Sequence, residues 1–98
     1  VQVKVTIGER ELRRGRPHDP GRCPVAHAVN AVLDGGWCVG YCWVWQGRGE
    51  DYPLFARRRV RTPPVLRDYL QRYDRGMDVG RRLTFFLNVN PSWLKDVA

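Results

Sequence analysis

Lysine is almost missing from this chain. Lys4 and Lys95 are the only two, yet the formal net charge is +7, so arginine carries nearly all the positive charge. A guanidinium is a planar fork that grips phosphates and carboxylates, whereas an ammonium is a point charge. Codon usage in a GC-rich genome would explain the choice of arginine over lysine, but not the excess of positive charge. That excess suits nucleic acid or an acidic protein surface. Long apolar runs are absent as well: nothing approaches the roughly 20 residues that a membrane-spanning helix needs. The three cysteines are an odd count with no disulfide framework in view. The first residues, Val1-Gln2-Val3-Lys4, read as a strand and not as a signal peptide. These absences predict a reduced, cytoplasmic protein with no membrane partner. There is also no phosphate loop, no dinucleotide fingerprint and no Ser-His-Asp order, so no enzyme and no cofactor is expected.

What remains is enough for one small core. The 98 residues are 43% hydrophobic and 28% charged, which predicts a single folded domain over 1–98 rather than disorder. Val1, Val3, Val5 and Ile7 alternate with polar residues, the pattern of a strand with one buried face, and Gly8 ends it. A polar stretch over 9–22 holds a turn of helix around Leu12 and then a loop. Cys23-Pro24 opens a helix, with proline at the first helical position, where its missing N–H costs nothing. Val25, Ala28, Val29, Val32 and Leu33 follow at helical spacing, and Asp34-Gly35-Gly36 stops the run. Residues 37–45 predict a second strand, 46–53 a turn region, and 54–61 a third strand. Thr62-Pro63-Pro64 starts a second helix with Thr62 as its cap and Leu66, Tyr69, Leu70 and Tyr73 as its apolar stripe. Asp68 and Arg72 are spaced to pair weakly on its outer side, and Gly76 ends it. Leu83, Phe85, Leu87 and Val89 alternate in a last strand that Pro91 closes, with Ser92 capping a terminal turn that carries Trp93 and Leu94. Strand patterns near both ends argue for a whole domain. The order β-α-β-β-α-β predicts an α+β, ferredoxin-like fold: a four-stranded antiparallel sheet with two helices on one face.

Two strips carry the functional argument. If 37–45 is one straight strand, Trp37, Val39, Tyr41, Trp43 and Trp45 share a face, opposite Cys38, Gly40, Cys42 and Val44. Facing solvent, Tyr41, Trp43 and Trp45 would stack on bases. Gly40-Tyr41-Cys42-Trp43-Val44 even resembles part of the signature strand of RNA-recognition domains. Facing the helices, the same strip would be core. On the next strand, Phe55, Arg57, Arg59 and Arg61 share a face opposite Leu54, Ala56 and Val60, and Arg10, Arg13, Arg14 and Arg16 form a second basic cluster. Arginine clusters contact phosphates in a salt-dependent, sequence-independent way. Alternatively, they form a solvated edge that blocks strand-to-strand aggregation.

Three other arrangements have chemical potential. His18, Cys23 and His27, with Cys38 or Cys42, are a conceivable metal set, but their spacing matches no standard zinc pattern and no metal is expected. Cys38 and Cys42 would lie too far apart along one strand to share an ion or a disulfide. Cys23 at a helix N-terminus, with His18 or His27, could mimic a Cys-His pair. No third orienting group is recognisable, so a capping role is the expectation for Cys23.

Arg22-Cys23-Pro24-Val25-Ala26-His27-Ala28 resembles a group of small bacteriophage and GC-rich bacterial proteins. These carry Cys-Pro-Val-Ala-x-Ala after a polar loop, and then an aromatic-x-x-Gly segment before a final strand, matched here by Tyr73-Asp74-Arg75-Gly76 and Leu83-Thr84-Phe85-Phe86-Leu87. Members often have leucine at the position of His27. The resemblance implies a phage or mobile-element origin and no reaction. Together the features predict a small, basic, non-enzymatic protein that docks on nucleic acid or a nucleoprotein complex. The alternative is a phage-encoded modulator of a host protein complex, with the same aromatic and arginine residues as hot spots. A homodimer through a sheet face or edge is a third possibility.

Overall fold

Strand β1, Gln2–Ile7, forms as its alternation predicts in the computed structural model, which describes residues 1–48 and 52–95. It pairs antiparallel with β5, Leu83–Asn88, so that Val5 meets Phe85 and Val3 meets Leu87 on the core side. Lys4 and Phe86 are paired on the outer side. Between these strands in sequence come a short helix α1 (Glu9–Arg14), helix α2 (Pro24–Val32), strands β2 (Trp37–Val39), β3 (Trp43–Gln46) and β4 (Arg59–Arg61), and helix α3 (Pro64–Asp74).

Helix α2 is the centre of the molecule. Cys23 caps it, its Sγ accepting the Ala26 N–H at 3.4 Å, with Pro24 in the first turn. Val25, Ala26, Ala28 and Val29 are buried against β1 and β2. The helix ends at Val32, and Gly35 and Gly36 carry the chain back with positive φ angles of 102° and 76°. Asn30 then ties the helix to β2: its side chain bonds the Trp37 N–H at 2.7 Å and the Trp37 carbonyl at 2.8 Å. Leu66, Tyr69 and Leu70 of α3 close the core from the other side.

The strands do not form one ferredoxin-like sheet. They form two: β1 with β5, and β2-β3-β4, all antiparallel. The expected strand over 37–45 is a hairpin instead. Gly40 donates its N–H to the Trp43 carbonyl at 2.8 Å, and the chain reverses through Tyr41 and Cys42. The edge of β2 is already taken by the 16–22 loop, because the Val39 N–H donates to Pro20 at 2.9 Å. That loop is itself closed by a bond from the Arg16 N–H to Arg22. A strand from the other sheet therefore has no free ladder to join at Val39.

The expected strand over 54–61 is also shorter. Pro53–Phe55 is a single 3-10 turn, and only Arg59–Arg61 pairs with β3. Part of the turn region expected over 46–53, residues 49–51, lies outside the described residues. Two caps differ from expectation. Thr62 is buried and gives its hydroxyl to the Gly40 carbonyl at 2.8 Å instead of capping α3. Asn90, not Ser92, caps the last turn by accepting the Ser92 N–H at 2.9 Å. The Asp68–Arg72 pair forms at 3.9 Å on the exposed side of α3. Among the described residues, no helix is long and apolar enough to cross a membrane.

Candidate functional site

The hairpin changes which aromatic side chains share a face. Val39 is paired with Val44, and Trp37 with Gln46, so Trp37, Val39 and Val44 point into the core together. Trp43 and Trp45 lie on the opposite face with Cys38. The aromatic strip is therefore neither wholly core nor wholly exposed; the turn at 41–42 divides it. Trp37 is fully buried, its Nε1–H donating to the Asp34 carbonyl at 2.8 Å and its ring 5.4 Å from that of Trp93.

The outer face of β3 and β4 is where aromatics and arginines meet. Trp43 is paired with Arg61, and Trp45 with Arg59. The guanidinium carbons of Arg59 and Arg61 each lie 5.1 Å from the Trp43 ring centroid. Such cation–π contacts contribute about 0.5–1 kcal/mol each at exposed sites. Arg59 is held further by Nη1–H bonds to the Leu54 carbonyl at 2.9 Å and the Ala56 carbonyl at 3.1 Å. Neither arginine forms an ion pair with a carboxylate among the described residues. Trp45 is only 4% exposed, and its Nε1–H has no hydrogen-bond partner there. It is not a stacking surface.

Tyr41 sits on the hairpin turn, 40% exposed. Its hydroxyl donates to Asp74 Oδ2, and its carbonyl accepts from Arg67 Nε at 2.9 Å. The bond to Asp74 raises the Tyr41 pKa above its usual value. The two ends of α3 thus hold the turn in place. Arg67 is an exposed cation at the hairpin turn, and the spacing of residues in the sequence did not point to it.

The other predicted positions are not gathered here. Phe55 is 86% exposed on the 3-10 turn, its ring 5.5 Å from that of Tyr52. Arg57 is exposed but precedes β4. Arg13 and Arg14 lie in the last turn of α1, which packs on α2 and β1, and Arg16 follows in the loop. Arg13 shares a shallow groove with Glu9, Leu12, Gly80 and Arg81.

A separate cavity of about 300 Å³ lies between the 18–20 loop, the start of α2, the hairpin turn and the end of α3. His18, Cys23, Tyr41 and Asp74 all line it. His18 adopts a left-handed backbone with φ of 60° and donates its N–H to Asp74 Oδ1 at 3.0 Å; its ring Nδ1 is 3.9 Å from Oδ2. Asp74 holds the His18 backbone, but at 3.9 Å it does not hydrogen-bond the ring, and the 56 residues between them hid this contact from the sequence. The chemistry at Cys23 nevertheless disfavours a nucleophile. Burial pushes its thiol up to about 11, outweighing the Ala26 and Val25 N–H groups that favour the thiolate, and the nearby Asp74 and Asp19 charges add to the rise. At neutral pH it is a protonated capping thiol. Among the described residues no group of three or more His, Cys, Asp or Glu could hold a metal ion. None of the three cysteines is in a disulfide; Cys42 is exposed on the turn and Cys38 donates to the Gly47 carbonyl at 3.2 Å. No family model matches the chain, and it has no match among curated proteins or solved structures.

Proposed function

We propose that this chain is a small, basic, non-enzymatic binding protein of phage or mobile-element origin. It works in the cytoplasm by docking on nucleic acid or a nucleoprotein complex. One observation carries the reading: Arg59 and Arg61 lie over Trp43 on the outer face of β3 and β4, and among the described residues neither is paired with a carboxylate. A guanidinium held over a ring loses little further freedom when it meets a phosphate, so the pair is prepared for anionic ligands. The net charge of +7 supplies the long-range attraction.

The test is an anisotropy titration of labelled DNA at several salt concentrations, with the Arg59→Gln/Arg61→Gln variant alongside. Affinity for the native chain should fall steeply with salt. Loss of two phosphate contacts should flatten the log–log salt slope by about 1.8. An unchanged slope in the variant removes this face from the reading.

A second reading has its own observation. Phe55, Tyr52 and Leu54 are all exposed and adjacent to Arg59, whose guanidinium is bonded to the Leu54 carbonyl. Aromatic and arginine residues in one patch have hot-spot composition for a protein partner. In that case Phe55→Ala abolishes partner binding and leaves DNA affinity as it was.

A further inference from the structure

We infer that the β3–β4 face takes the phosphate backbone of double-stranded nucleic acid in preference to the bases of a single strand. This rests on the nucleic-acid reading above and specifies its ligand.

Sequence-tolerant single-strand binders combine a basic groove with aromatic faces on which successive bases stack. Each aromatic expected to form a platform on the 41–45 segment is committed elsewhere, which leaves exposed rings only on the 52–55 turn outside the strands. Trp45 is buried. Trp43 is covered by Arg59 and Arg61, both at 5.1 Å from its centroid. Tyr41 is bonded through its hydroxyl to Asp74 and lines the cavity beside α3. A base stacking where the guanidiniums lie over the Trp43 ring would have to displace one of them. Displacing Arg59 would also break its bonds to the Leu54 and Ala56 carbonyls.

What the face does offer is charge in a fixed arrangement. A guanidinium has five N–H donors. Arg59 uses Nη1 on backbone carbonyls, and Arg61 makes no hydrogen bond among the described residues. The two arginines are alternate residues of one strand, so their Cα atoms are about 6.8 Å apart and their side chains point the same way. On β3 and β4 themselves, a held pair of cations over a ring that they already occupy responds to phosphate density. A duplex carries one charge per roughly 1.7 Å of axis, about twice the density of one of its strands. The duplex is therefore the better ligand, and its sequence should matter little.

The experiment compares a labelled DNA duplex of about 20 base pairs, an RNA duplex of the same length and each separated strand, at about 50 and 200 mM salt. Tryptophan emission is recorded together with anisotropy. The expected result is duplex binding at least about fivefold tighter than single-strand binding at equal salt, the direction set by the charge densities. Trp43→Phe should not reverse that order, and saturating duplex should leave tryptophan emission unquenched. The DNA and RNA arms separate the two duplex sources. Equal or tighter binding of single strands, with quenching that Trp43→Phe removes, overturns this inference and leaves the nucleic-acid reading intact. Failure of every probe to bind overturns both. Arg59→Lys/Arg61→Lys, which keeps the charge, serves as a second variant if Trp43→Phe unfolds. Lysine keeps the charge but lacks the planar group that occupies the Trp43 ring, so single-strand binding with tryptophan quenching should rise; unchanged single-strand binding counts against the inference.

Discussion

The thiol of Cys23 makes the stability of this protein depend on pH in a calculable way. In the unfolded chain it titrates near 9.0; in the folded chain burial pushes it up to about 11. Below pH 9 both states hold the proton, and the contribution is fully present. Between these values the unfolded chain releases the proton and the folded chain keeps it, so stability falls as pH rises. At 1.36 kcal/mol for each tenfold change, this corresponds to about 2 kcal/mol lost by pH 11, where the folded thiol is itself half-ionised. That is a large share of the roughly 5–15 kcal/mol typical of a whole domain. Tyr69 is pushed up to about 12 by burial, and Tyr41 and Tyr73 are also raised, so the native chain loses further stability at high pH. Cys23→Ser isolates the thiol. Serine keeps the cap on α2, where it is among the preferred residues, but its hydroxyl does not titrate. Urea unfolding of both proteins at pH 8, 9, 10 and 11 should give curves that diverge, with the native chain losing about 2 kcal/mol more than the variant. If the two lose stability in parallel, to within about 0.5 kcal/mol, Cys23 is not held in a desolvated site and the argument fails.

Two further perturbations test the frame around the candidate face. Asp74→Ala removes the acceptor for the His18 N–H and the Tyr41 hydroxyl. Charged hydrogen bonds contribute about 1.5–3 kcal/mol each, but both donors reach solvent, so a net loss of about 2 kcal/mol is expected, read as a drop of roughly 10 °C in Tm. An unchanged Tm would mean that water replaces the carboxylate at no cost. The paired glycines after α2 should respond unequally. A Cβ at Gly35 would lie 1.9 Å from Gln46 Nε2, whereas one at Gly36 would meet nothing within 4 Å. Both have positive φ, so each alanine costs about 1 kcal/mol of backbone strain, and Gly35→Ala should cost more than Gly36→Ala by thermal unfolding. Equal losses would place Gln46 elsewhere.

Local patterns were legible in the sequence wherever one residue period ran unbroken. Val3-Val5-Ile7 and Leu83-Phe85-Leu87 announce two half-buried strands, and these two pair with each other. Cys23-Pro24 and Gly35-Gly36 bracket α2 because both act through the backbone. The break inside 37–45 was not legible. Gly40-Tyr41-Cys42 lacks the Asn-Gly or Asp-Gly chemistry that marks a two-residue hairpin, and the run around it alternates as a strand should. What ends the strand is tertiary: the Thr62 hydroxyl on the Gly40 carbonyl, Arg67 on the Tyr41 carbonyl and Asp74 on the Tyr41 hydroxyl. All three partners lie more than 20 residues away in sequence. The same distance hid Asp74 from any reading of the cysteine and histidine spacing.

The consequence of that break is larger than a shortened strand. Side chains alternate with a period of two, so a reversal through two residues decides which members of a run stay together. A straight strand would have put Trp37 and Trp43 on one face. With the reversal, Trp37 joins Val39 and Val44 in the core, and Trp43 goes to the other side. Only there does it lie opposite Arg61 and diagonal to Arg59. Trp43 is thereby a support for two guanidiniums in place of a member of an aromatic platform. On the proposed reading, the arginines, and not the aromatics, are the groups that meet a ligand. On that reading, the turn converts a run of alternating tryptophans from a surface suited to bases into one suited to phosphates.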